Sequence, residues 1–172
     1  MNEFAARQAV KKFIVDNKET ITEDVIALGE QREIVQVSTS RLTAEYGYYF
    51  ISVYATSGEE TDYSDTIQDI SVSTLEMIIS VADHIIINPL DEEESFESMD
   101  ADMQIVTDRI VNLLRQQTYL QYIDTENNAY RFKLELPRRI TKQNEYIPTN
   151  WNDTNMISAL ISTDIKFRIQ VC

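Results

Sequence analysis

The segment ahead of Cys172 alternates residue by residue: Ile165, Phe167, Ile169 and Val171 are apolar, whereas Lys166, Arg168 and Gln170 are not. Only extended backbone divides such a pattern between two faces, so 157–171 reads as a closing strand with one face in a core and one basic face in water. The opposite end has the other periodicity. Ala6, Ala9, Val10, Phe13 and Ile14 fall along one side of a helix over 2–17, with Arg7, Lys11 and Lys12 on the other side and Asn2 as its cap. A further helix is predicted from Asp100 to Gln117 on the stripe Met103, Val106, Ile110, Leu113 and Leu114. Helices and half-buried strands in one chain of 172 residues, with no repeat or linker, imply a single α+β domain over 1–172: a mainly antiparallel sheet with helices packed on one face.

Between these landmarks the pattern is less regular. Thr20 and Glu23 have capping-box spacing, and Gly29 suits a helix end, so a short helix is expected over 21–28. Strands are expected over 33–42 and 46–56, where β-branched and aromatic residues concentrate, and a loop over 57–62 around Gly58. Thr66 to Ile87 admits two readings. Ile67, Ile70 and Val72 suit a strand, while Leu75, Ile78, Ile79, Ala82, Ile85 and Ile86 recur at helical intervals; strand followed by helix is preferred over one long strand with a bulge. Residues 88–99, with Asp91, Glu92, Glu93, Glu94 and Glu97, read as an acidic, solvent-facing loop. A hairpin follows, with strands over 119–123 and 130–136 around the turn-rich 124–128, and then an irregular stretch over 138–155 that holds Pro148 and Trp151.

Charge is distributed unevenly. The 67 residues between Arg41 and Arg109 contain 16 Asp and Glu and no Lys or Arg, while the other 105 residues sum to +2, so that a net −14 comes from the middle of the chain. A field of this kind governs what the surface attracts, not the fold. It disfavours ordinary nucleic-acid binding, which needs clustered Lys and Arg against phosphate. Basic residues gather late, at Arg131, Arg138, Arg139, Lys166 and Arg168, where they can meet the acidic middle of a neighbouring subunit. Apolar content of 43% argues against disorder, a single cysteine permits no intrachain disulfide, and no segment approaches membrane-span length. The expectation is a protein that is soluble and intracellular at synthesis, with no membrane partner.

Catalytic motifs do not emerge. With His84 as the lone histidine and Cys172 as the lone cysteine, a histidine-rich metal centre or a Cys-His nucleophile cannot be built in one chain. Gly29, Gly47 and Gly58 are too far apart to cradle a phosphate. Aligning Asp91, Glu93, Ser95, Glu97 and Asp102 with a calcium loop puts Phe96 where the tight turn needs glycine. No cofactor and no metal are therefore expected, and no catalytic residue is assigned. Two alternatives to a structural role stay open: an acidic, non-catalytic adaptor, and an enzyme with an unrecognised carboxylate site.

The order of elements resembles that of tail terminator and neck proteins of tailed bacteriophages. The residues that carry the resemblance are the helix Phe4 to Ile14, the strand pair at Val35-Gln36-Val37 and Tyr49 to Tyr54, the helix Met103 to Leu114, the closing strand Asp164 to Val171, and Trp151 shortly before it. A helix over 74–87 departs from that pattern. The resemblance implies a virion component assembled in the host cytoplasm: a homohexameric ring that caps the tail tube and joins it to head-connector proteins. DNA would pass through its channel without specific binding. In that setting Asp91, Glu92, Glu93, Glu94 and Glu97, and less directly Glu59, Glu60 and Asp62, are channel or rim candidates, because like charge keeps a duplex off the wall. Arg131, Arg138, Arg139, Lys166 and Arg168 are the subunit-interface candidates.

Overall fold

The N-terminal amphipathic stripe forms α1 (Glu3–Thr22), which buries Ala5, Ala6, Ala9, Val10, Phe13, Ile14 and Ile21. The computed structural model describes residues 3–27, 30–31, 33–39, 49–63, 70–87, 92–135, 141–149 and 157–171. The remaining elements are β1 (Ile26–Ala27), β2 (Glu30–Gln31), β3 (Ile34–Ser38), β4 (Tyr49–Tyr63), β5 (Ile70–Ile87), α2 (Glu92–Gln116), β6 (Tyr119–Ile123), β7 (Ala129–Leu134), β8 (Thr141–Thr149) and β9 (Ile157–Val171). Seven strands make one sheet in the order β3-β4-β5-β9-β7-β6, with β8 also paired to β9. Every pairing is antiparallel except β3 with β4. The fold is thus α+β, with a mainly antiparallel sheet and a single core.

That core lies between the two helices and one face of the sheet. The α1 stripe and Met103, Val106, Ile110 and Leu114 of α2 meet Tyr49, Ile51 and Val53 of β4, Leu75, Met77, Ile79 and Val81 of β5, Phe132 and Leu134 of β7, and Ile165, Phe167 and Ile169 of β9. Period-two burial in β9 therefore runs as the alternation of its sequence requires. The β6–β7 hairpin also matches its sequence, with Asp124 capping the turn. The Asp124 carboxylate accepts hydrogen bonds from the Glu126 and Asn128 amides and the Asn128 side chain, and Asn127 takes the left-handed backbone, φ 64°, that asparagine tolerates.

Several expectations are corrected. Residues 74–87 are not helical: β5 is one strand of 18 residues, flanked by β4 on one side and β9 on the other. Its alternation is masked in the sequence because both faces are partly buried. Leu75, Met77, Ile79 and Val81 enter the main core, while Ile78, only 3% exposed, is buried on the other face, across from Tyr54 of β4. Pairing on both edges then decides for strand over the helical intervals.

The acidic loop over 88–99 is also revised, since α2 begins at Glu92; Asp91 lies outside the described residues. Glutamates form helix readily and are favoured beside the positive end of a helix dipole, so a run of them opens a helix here. The helical spacing of Met103 extends back to Met99 and Phe96, a signal that the charge obscured. This backbone also cannot wrap a calcium ion as the aligned loop would.

No second helix spans 21–28. Instead α1 runs through Asn17, whose side chain donates to the Phe13 carbonyl, and its end is set by Asp24 in left-handed backbone, φ 59°. Gly29 lies outside the described residues. The loop expected over 57–62 belongs to β4, which absorbs one extra residue as a bulge between Ala55 and Ser57. Part of the stretch read as irregular, 141–149, is β8. Among the described residues it pairs with β9 alone, an edge position that accommodates Pro148.

Candidate assembly surfaces

The ladder with β9 accounts for β5 from Thr74 to Ile87. The β4–β5 hairpin continues past it: Glu60, Thr61, Asp62 and Tyr63 register with Ser73, Val72, Ser71 and Ile70 and, among the described residues, with no third strand. A two-stranded arm thus leaves the sheet. Its bulge shifts the register, so that Gly58, Glu60 and Asp62, rather than the odd-numbered residues, continue the row opposite Leu75. Glu60 and Asp62 are its acids, Glu59 lies at its root opposite Thr74, and the arm carries no base in its described strands.

Of the channel candidates, Glu92, Glu93 and Glu94 occupy the first turn of α2, and Glu97 lies one turn on and is exposed, as is Asp100. These acids therefore lie on a helix and not on a loop. Of the interface candidates, Arg138 and Arg139 lie outside the described residues. Lys166 and Arg168 sit on β9, on the face away from the main core. Arg168 is already engaged within its own chain. Its Nε lies 3.9 Å from Glu76 Oε2 on β5 and 4.0 Å from Glu135 Oε2 after β7. The charges that are far apart in sequence are therefore neighbours in the sheet here, in partly exposed contacts of the kind that contribute about 0.2–1 kcal/mol each.

Arg131 has a different setting. It is exposed on β7, with its guanidinium carbon 3.6 Å from the centre of the Tyr119 ring, a cation–π contact. Both residues line a groove of about 510 Å³ between α1 and the β6–β7 hairpin. The charged groups lining it are Arg131, Lys12 and Asp16, of which Lys12 and Asp16 pair with each other one helical turn apart. Net positive charge in a chain of −14 makes this groove locally distinct. The late clustering of basic residues in the sequence identified Arg131 but not the groove, because Lys12 and Tyr119 come to line one groove only through the packing of α1 beside β6.

A second feature missed in the sequence is a row of buried polar side chains. Asp83 is 1% exposed and pairs directly with Tyr49 of β4, which is fully buried, while Thr163 on β9 lies two residues along, opposite Val81. Asp102 of α2 is also buried. Asp83 looked unremarkable in a segment read as helix. Among the described residues, no cluster of three or more His, Cys, Asp or Glu is placed to hold a metal ion, and no helix is long and apolar enough to cross a membrane. Comparison with known proteins finds no family model and no curated protein that matches this chain.

Proposed function

We propose that this chain is a structural, non-catalytic virion protein: a ring-forming tail terminator or neck component whose acidic residues border a channel for DNA. The observation that carries the reading is the form taken by the base-free middle of the chain. Among the described residues it is built into β4, β5 and α2, which carry 12 of its 16 acids, including those of an arm that extends beyond β9. Ordered carboxylates of one sign repel a duplex without binding it, and six copies would multiply that field. With 70–87 a strand, the departure that a helix over 74–87 would make is absent. Head-connector and tail-tube proteins are the partners this role requires, in the virion after assembly in the host cytoplasm.

Mass photometry and negative-stain imaging of the full chain test the ring. The expected result is a species near six times 19.9 kDa with an annular outline, or annuli on added tail tubes. Replacing Glu92, Glu93, Glu94 and Glu97 together with lysine should slow DNA passage through an assembled particle. Unchanged passage would remove these residues from the channel. The capture of Arg168 by Glu76 and Glu135 favours the alternative of an acidic adaptor that acts as a monomer. A monomer at every concentration, with no annuli on tail tubes, would decide for it.

A further inference from the structure

We propose that β6 is an acceptor edge, completed by the β4–β5 arm of a second copy of this chain. β6 pairs with β7 on one side only, and among the described residues no backbone bond is made from its other side. The ladder fixes which groups are available. Leu134 N donates to Thr118 O and Asp124 N donates to Asn128 O, so 118, 120, 122 and 124 are the positions bonded toward β7. Antiparallel pairing alternates, which leaves the N–H and C=O groups of Tyr119, Gln121 and Ile123 directed to the open side.

That open side is the groove beside α1. Consecutive residues Thr118, Tyr119, Leu120 and Gln121 all line it, although their side chains alternate between faces, as happens where a strand presents its edge. Ile123 at the end of β6 is 63% exposed among the described residues. Natural proteins seldom leave a strand edge with exposed apolar residues uncovered, and an extended segment adding to the sheet satisfies both needs.

Charge selects the occupant. Arg131 and Lys12 against Asp16 make the groove net positive, while the arm carries Glu60 and Asp62 and no base in its described strands. Its strands at 60–63 and 70–73 are already extended, and each has a side with no strand partner among the described residues. Four residues of strand span roughly 13 Å, which fits on the five residues of β6. Arm into groove is a head-to-tail contact between different surfaces, the kind that closes a ring when the rotation permits. The inference rests on the ring reading for the identity of the occupant and adds to it the contact itself.

Gln121→Pro is the decisive variant. It removes an N–H from the open edge and none from the ladder with β7, a place where proline is tolerated. The full-length variant is expected to keep the wild-type circular dichroism and a cooperative melt while its assembly constant weakens by at least about tenfold. Arg131→Glu should weaken assembly similarly, and Glu60→Lys with Asp62→Lys in the same chain should restore it. A ring that forms equally well in Gln121→Pro overturns the contact and leaves the ring reading in place. Dimers or open chains in the wild type, lost in Gln121→Pro, support the contact and overturn the ring. A wild-type monomer at all concentrations, with no assembly on tail tubes, overturns both.

Discussion

Arg109 links the two helices through a few atoms. From the middle of α2 its Nη1 donates to the Ile21 carbonyl, at 3.2 Å, and to the Glu23 carbonyl, so a cation meets the carbonyl end of α1 where orphan acceptors and the helix dipole both favour it. Arg109→Ala should lower unfolding stability in urea by about 1.5–3 kcal/mol, the range for hydrogen bonds to a charged group, and Arg109→Lys should recover only part because its ammonium ends one atom short of Nη1. Asp124 gives a pH-dependent counterpart. The Asn128 side chain, and then the Asn128 and Glu126 amides and the Tyr130 hydroxyl, hold its carboxyl below the ordinary range. A carboxyl depressed on folding stabilises fully above its unfolded pKa, and that contribution is lost as pH falls through the folded value. The melting midpoint of wild type should therefore exceed that of Asp124→Asn near neutral pH, with the gap closing on acidification below the ordinary carboxylate range; a pH-independent gap would show that turn geometry and not ionisation matters.

At the level of elements, β5 is the spine of the sheet, and its two faces carry unequal weight. Ile79 is fully buried among the helices and both neighbouring strands, so Ile79→Ala should cost about 2–5 kcal/mol by chemical denaturation, while Ala82→Ser on the other face should cost under about 1 kcal/mol. A helical 74–87 would have placed 79 and 82 on the same side, and the two effects would be alike. How much of this architecture can be read from the sequence depends on whether an element has one buried face. β9 and α1 do, and their alternation and stripe are legible residue by residue. In β5, burial of Ile78 opposite Ile79 erases the period, and in α2 the glutamates hide a start that Phe96 and Met99 mark by spacing. β8 is readable by neither rule, because a polar edge strand is held by its partner β9 and not by its own pattern. The groove beside β6 is further from reach, since it depends on a contact between residues over a hundred positions apart in sequence.

For the whole molecule, charge acts in two opposed directions. A net −14 means that the folded chain repels itself, and dilute salt lets that repulsion extend: the screening length falls from about 30 Å at 0.01 M to about 3 Å at 1 M. Screening should therefore raise the thermal midpoint of the isolated subunit. The same screening weakens attraction between an acidic arm and the groove around Arg131, so assembly should decline. Measured across one series from about 0.02 to 0.5 M NaCl, where screening shortens severalfold, the melting midpoint of Gln121→Pro is expected to climb while the assembled fraction of wild type falls. The opposite slopes identify two separate electrostatic effects. Were assembly driven instead by repulsion-limited apolar contact alone, as through Ile123, salt would strengthen it along with the fold, and both curves would rise together.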